Sequence, residues 1–267
     1  MADHRATSWL DLQEHLYADA WQPGLGRHRS SFAFRGVGDG SVDLTTSLHR
    51  LAPDPVQIEP HVLRAFRKYA AGRAGVFPGE SVWNWLALAQ HHGLPTRLLD
   101  WTYSPLVALH FATADLALYD RDAVVWCVDY VRTNALLPAA LREVLDREST
   151  GLFTADMLDA AADTLGGFDA LAGDGSDPFV VFMEPPSFDD RIVNQFALFC
   201  LMNGAAHRLD EWLATRLDLF HRVIVPRELK WEVRDKLDQA NVTERVLFPG
   251  LDGLSAWLRR YYTPRPT

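Results

Sequence analysis

Two imidazoles, a guanidinium and a carboxylate crowd into one otherwise apolar run, Gln90-His91-His92-Gly93-Leu94-Pro95-Thr96-Arg97-Leu98-Leu99-Asp100-Trp101-Thr102. Taking an ionised side chain out of water without a partner costs several kcal/mol, so charges set among apolar residues either pair or face a cleft. The cleft reading makes this run the best site candidate. Its structural alternative is that Arg97 and Asp100 pair to brace a loop while the histidines end a helix. His91 or His92 offers hydrogen-bonding or acid–base chemistry near neutral pH. Neighbours on a helix point about 100° apart, so the two do not readily share a metal ion, and no metal is expected. Asp100 either accepts from a ribose hydroxyl or, the favoured single role, pairs with Arg97.

Three more places carry chemistry. Arg35 lies between Phe34 and Gly36, at what reads as a strand end where backbone approaches a ligand closely, and its planar fork suits a pyrophosphate. Its alternative is a salt bridge to Asp39 or Asp43. Ser47, in Thr45-Thr46-Ser47-Leu48, offers a hydroxyl to the same cleft. Gln195 follows Arg191 by four positions, which places both on one face of a helix. An amide cannot act as a general base, so any catalytic part for Gln195 rests on positioning.

The elements that must position these groups are read from periodicity and punctuation. Ser8 caps an opening helix with Trp9, Leu12 and Leu16 on its apolar face. Ser31 to Arg35 alternates as a strand that Gly36, Gly38 and Gly40 then break. Residues 57–72 read as a helix, as does a segment capped by Ser81 and stopped by Gly93. Thr96 to Leu99 is a short extended piece, and Ser104-Pro105 opens an apolar helix. Strands are expected at Ala123 to Tyr130, Phe179 to Met183 and Phe220 to Val225. Two helices fill 134–165, and Gly166, Gly167, Gly173 and Gly175 form a polar loop. Arg191 to Phe199 begins polar and turns apolar, as a chain does on entering a strand from a cleft. Helices from Pro226 to about Gln239 and from Leu254 to Tyr262 close the chain. Strands and helices mix without a regular repeat, so the expected class is α+β, with mixed or antiparallel central sheets and flanking helices in a single domain over 1–267.

Composition narrows the function. The 267 residues are 48% hydrophobic, ample for a sizeable core, and no run approaches the roughly 18 apolar residues of a membrane-spanning helix. The opening Met-Ala-Asp-His-Arg lacks an apolar signal core. Cys127 and Cys200 sit in separate apolar runs without metal-ligand spacing and read as buried, reduced thiols in a cytoplasmic protein. A net charge of −9 argues against broad attraction to DNA or a lipid surface, while leaving room for a local basic cleft. Phosphate-loop, dinucleotide-fold and nucleophile-elbow motifs are absent, which removes the usual nucleotide hydrolase and serine hydrolase readings.

Taken together, Phe34-Arg35-Gly36, Ser47-Leu48-His49-Arg50, the run Ala89 to Thr102, and Ser104-Pro105 to Phe111-Ala112 closely resemble the FRG domain family. The resemblance extends through Ala123 to Trp126, Asp190-Arg191-Ile192, Gln195 and Phe199 to the tail Phe248 to Leu254, covering roughly residues 25–260. Where that family usually has glycine two places after the glutamine, this chain has Ala197, whose methyl group would crowd a ligand approaching the backbone. A looser similarity links the chain to ADP-ribosyltransferases, which carry an arginine on an early strand, then a Ser/Thr strand, then a glutamate strand, together holding NAD. That likeness implies an ADP-ribosyltransferase-like core with Arg35 on the pyrophosphate, Ser47 bracing the nicotinamide pocket, and Gln195 where the glutamate engages the ribose. A carboxylate stabilises an oxocarbenium-like charge better than the amide found here.

The expectation is therefore an NAD-binding, ADP-ribosyltransferase-like protein that transfers ADP-ribose to a protein or nucleic-acid target, or cleaves NAD, in a bacterial conflict or phage-defence setting. Gln195 and His92 are the candidate catalytic residues. Arg35, Gly36, Ser47, His91, Thr96, Arg97, Asp100 and Arg191 are the candidate ligand-binding residues, with NAD as substrate and no membrane partner. The alternative is a noncatalytic module that binds a nucleotide, an RNA end or a phosphorylated partner.

Overall fold

The computed structural model describes residues 3–70, 79–173, 175 and 177–265. A two-residue strand β1 (His4–Arg5) leads to helix α1 (Trp9–Leu16), whose first turn closes when the Ser8 hydroxyl accepts from the Asp11 N–H at 3.2 Å. The short hairpin β2 (Trp21–Gln22) and β3 (Arg27–His28) precedes β4 (Phe32–Val37). Helices α2 (Ser47–Leu51), α3 (Pro55–Ala70) and α4 (Val82–His91) follow, then β5 (Leu99–Thr102), α5 (Pro105–Ala112) and β6 (Ala123–Asp129). Four short helices come next: α6 (Tyr130–Asn134), α7 (Ala139–Glu148), α8 (Ala155–Ala161) and α9 (Leu165–Ala170). Strand β7 (Val180–Met183), helix α10 (Asp190–Asn194), β8 (Ala197–Met202), α11 (Leu209–Ala214) and β9 (Phe220–Val225) complete the sheet. Helices α12 (Lys230–Gln239), α13 (Glu244–Leu247) and α14 (Leu251–Tyr261) end the described chain.

The fold is α+β, with a two-stranded sheet beside a seven-stranded mixed sheet of order β1-β9-β6-β4-β5-β8-β7, in which β1 and β9 alone run parallel. Every residue of β6 is buried, the expected pattern for a central strand covered on both faces. Phe34, Val125, Cys127 and Val223 alternate onto one face and pack on α1, α5 and α12. Phe199, Leu201, Val181 and Met183 pack on α4, α7 and α8. The opposite face, with Trp101, Val124, Phe182 and Leu198, is sealed by Leu209, Trp212 and Leu213 of α11. Each such side chain, fully withdrawn from water, contributes on the order of 1.5–3 kcal/mol.

One seam in this sheet is thin. Strand β4 pairs with β6 at six positions, yet with β5 at a single one, Phe34 opposite Thr102. Beyond that pair the two strands carry their own chemistry, Arg35 to Val37 on one side and Asp100 and Trp101 on the other.

Several sequence expectations need correction. Gly36 does not break its strand: β4 runs through it to Val37. Ser47 opens a helix instead of sitting in a strand, because the Thr46 hydroxyl caps it by accepting from the His49 N–H at 3.3 Å. The extended piece at Thr96 shifts to Leu99–Thr102. Two helices, α7 and α8, do occupy 134–165, but Gly166 and Gly167 lie inside α9 under a Thr164 cap instead of in a loop. The helix read over 57–72 begins at Pro55 and is described to Ala70; positions 71 and 72 fall outside the described residues. Both cysteines are free and buried, as their apolar surroundings predict. Among the described residues no helix is long and apolar enough to cross a membrane.

Candidate functional site

A cavity of about 790 Å3 lies at the thin seam, lined by Phe34 to Val37 of β4 and the following Gly38, by Asp100 to Thr102 of β5, and by the ends of α4 and α10. Its size falls within the range typical of small-molecule sites.

The end of α4 supplies the imidazoles. This helix is apolar nearly all round, and burial of Trp83, Trp85, Leu86 and Leu88 fixes it in the core. Gly93, at φ +79°, terminates it: the Leu94 N–H reaches the Ala89 carbonyl and the Gly93 N–H the Gln90 carbonyl, both at 2.9 Å. That paired closure needs a left-handed residue, which glycine adopts without a Cβ penalty. Gln90, His91 and His92 are thereby presented to the cavity.

His91 and His92 stand edge to face with ring centroids 5.1 Å apart. His91 Nε2 lies 2.7 Å from Asp189 Oδ2, and its side chain is only 9% exposed. The other oxygen of Asp189 caps α10 by accepting from the Arg191 and Ile192 N–H groups at 3.0 and 3.2 Å. Partial burial opposes ionisation of Asp189, but these donors outweigh it and hold the carboxyl below its usual range. One carboxylate thus joins the C-terminus of α4 to the N-terminus of α10. Asp189 escaped the sequence reading, although an Asp directly before a helix is a capping signal.

From α10 comes Arg191, and Gln195 follows at its C-cap; both line the cavity wall. The Arg191 guanidinium lies 5.0 Å from the centre of the Phe248 ring, and its Nε is buried without a partner. Gln195 caps α10 and donates from Nε2 to the Leu247 carbonyl at 2.9 Å, while Asn194 donates to Val246. Ala197 also lines the wall.

Across the seam, Arg35 Nη1 donates to the Asp100 backbone carbonyl and lies 4.0 Å from Asp100 Oδ2. Neither Asp39 nor Asp43 is its partner; those pair with Arg121 and Arg208. Burial lowers the Arg35 pKa, Asp100 acts in the opposite direction, and Nε has no partner. Gly36 lines the cavity, but a Cβ there would collide with the Ala108 carbonyl and stand 2.7 Å from the Ala112 nitrogen. Its glycine is therefore required for α5 to lie against β4. Ser47 is also on the wall, its hydroxyl accepting from the Thr96 N–H at 3.1 Å.

Two expected ligand contacts lie elsewhere. Thr96 is buried beneath the wall and donates its hydroxyl to Gln90 Oε1 at 2.5 Å. Arg97 turns away from the cavity and binds Glu59 in a two-pronged ion pair, with Asp169 as a second partner at 2.6 Å. Burial works against the Arg97 charge, yet the two carboxylates overcome it and raise its pKa. The expected Arg97–Asp100 pair does not form. Asp100 accepts instead from Gln90 Nε2 at 2.9 Å.

Among the described residues the wall therefore carries the guanidinium groups of Arg35 and Arg191, beside two imidazoles, against one carboxylate, Asp100, inside a chain whose net charge is −9. Two guanidinium groups against one carboxylate suit an anionic ligand.

The sequence matches the FRG domain over residues 30–121, which contain β4, the α2 segment, α4, β5 and α5. No curated protein and no solved structure matches the chain.

Proposed function

We propose that the cavity binds NAD and that the protein acts on it as an ADP-ribosyltransferase-like enzyme, passing ADP-ribose to an acceptor or to water. The observation that carries this reading is the cationic wall at the β4–β5 seam, where Arg35 and Arg191 face one hollow in an acidic chain. Their guanidinium forks suit the two phosphates, each able to donate two parallel hydrogen bonds. Ser47, His91 and His92 flank the space left for the base and ribose groups. In this reading His92 and Gln195 contact the reacting end, Gln195 through its carbonyl oxygen, because its amide nitrogen is held by Leu247.

Calorimetry with NAD and a nicotinamide-release assay test this together: saturable heat and released nicotinamide are expected. Neither signal at millimolar NAD would overturn it. A second reading, a noncatalytic nucleotide-binding module, is favoured by the neutral amide at Gln195 and expects heat without nicotinamide.

A further inference from the structure

Breaking the bond between ribose and nicotinamide leaves positive charge on the sugar, and a neutral amide at Gln195 does little to stabilise it. Among the described residues one carboxylate lines the cavity, that of Asp100. It is held rather than loose. The Thr96 hydroxyl donates to Gln90 Oε1, which fixes the amide so that Nε2 faces Asp100 Oδ2 at 2.9 Å. The Thr96 backbone is pinned in turn by Ser47, at 3.1 Å from its N–H. Oδ2 is thereby occupied, with Arg35 Nη1 also 4.0 Å away, and Oδ1 is left for a ligand. The covalent structure of a dinucleotide supports the placement: each ribose is one ester link from a phosphate, so a carboxylate beside the phosphate-binding Arg35 stands where a ribose must lie.

On the reading that NAD is the ligand, we propose that Asp100, oriented by Gln90, is the carboxylate that stabilises the ribosyl cation, taking the part that Gln195 cannot. The C1′–N bond breaks and its electron pair returns to the ring nitrogen, so nicotinamide leaves neutral. The positive charge spread over C1′ and O4′ is met by Asp100. A water oxygen then bonds to C1′ and gives up one proton, so NAD and water yield ADP-ribose, nicotinamide and a proton; a hydroxyl acceptor in place of water yields the ADP-ribosylated product. Asp100 is a catalytic residue in this scheme and Gln90 a positioning residue.

The test measures NAD affinity by calorimetry and nicotinamide release for the full chain and for Asp100→Asn, Asp100→Ser and Gln90→Leu, each checked for folding by its melting temperature. Asp100→Asn is expected to bind NAD within about threefold of wild type and to release nicotinamide about a hundredfold more slowly, as for loss of one preorganised electrostatic group. Asp100→Ser gives the same split if the amide variant misfolds. Gln90→Leu lowers kcat by about tenfold with KM changed less than about twofold, a division that a purely structural role does not produce. Wild-type turnover in the Asp100 variants, with or without tighter NAD binding, would mark Asp100 as a mere counter-ion and overturn the proposal. So would a wild-type protein that binds NAD and releases no nicotinamide, which leaves the binding half of the functional reading standing. No heat with NAD would overturn both.

Discussion

Arg35 and Arg97 show how little residue type alone decides. Both sit in apolar surroundings next to strands, but Arg97 is matched by Glu59 and Asp169, whereas Arg35 lines the cavity with its nearest carboxylate oxygen, on Asp100, 4.0 Å away. Their replacement should therefore separate stability from binding. Arg97→Ala leaves Glu59, itself buried, without its cation, and urea unfolding should show a loss of about 3–5 kcal/mol. Arg35→Ala removes a charged donor from the ligand: calorimetry with NAD should show affinity reduced about tenfold to a hundredfold, the worth of a charged hydrogen bond. Its melting temperature should fall by no more than about 4 °C. The opposite pattern, a stable Arg97→Ala and an unfolded Arg35→Ala, would reverse the two assignments. The run Gln90 to Thr102 announced that charges were concentrated there. It did not announce their partners, because Glu59, Asp169 and Asp189 lie 38, 72 and 98 positions from the residues they bind.

At the scale of elements, local signals served well where one residue controls a terminus. Ser8, Ser104 and Gly93 each act through a hydrogen bond or a φ angle that their own type dictates. They served poorly where packing decides. Gly36 reads as a strand breaker, yet its lack of a side chain serves the approach of α5, which no local pattern reveals. Gly36→Ala should then act on the element rather than on the ligand: the added methyl must push α5 from β4, at a cost of about 1–3 kcal/mol in chemical denaturation. NAD affinity should weaken with it, because Arg35 is the preceding residue. A fully stable variant would show that α5 has room to yield. The spacing of Gln195 to Arg191 signalled a shared helix face and no more, and its tether to Leu247 depends on α13, about fifty positions onward.

For the whole molecule, the α+β class followed from the irregular mixture of strand and helix patterns; the seam did not, since strand order is set by long-range pairing. A polar core where α5 meets the C-terminal helices should govern acid stability. His110 is wholly buried, and burial together with Arg234 lowers its pKa to about 3 from 6.5. Burial opposes the Glu244 charge, but Arg260 and Arg234 prevail and hold it at about 2 against 4.5. Both groups bind protons more readily when unfolded, so their contributions are lost on acidification. Urea unfolding should show stability declining below about pH 6.5 as unfolded His110 takes up its proton, by about 1–2 kcal/mol between pH 6.5 and 5. The decline should steepen below about pH 4.5 through Glu244. Stability that is flat from pH 7 to 4 would contradict this.

Segments far apart in the chain meet at the β4–β5 seam, and the functional reading depends on what that meeting holds. A crystal structure of the protein soaked with NAD measures it directly. The diphosphate is predicted within hydrogen-bonding distance of Arg35 and Arg191, with a ribose against Asp100. Density for NAD elsewhere on the molecule, or an empty cavity at saturating NAD, would contradict it.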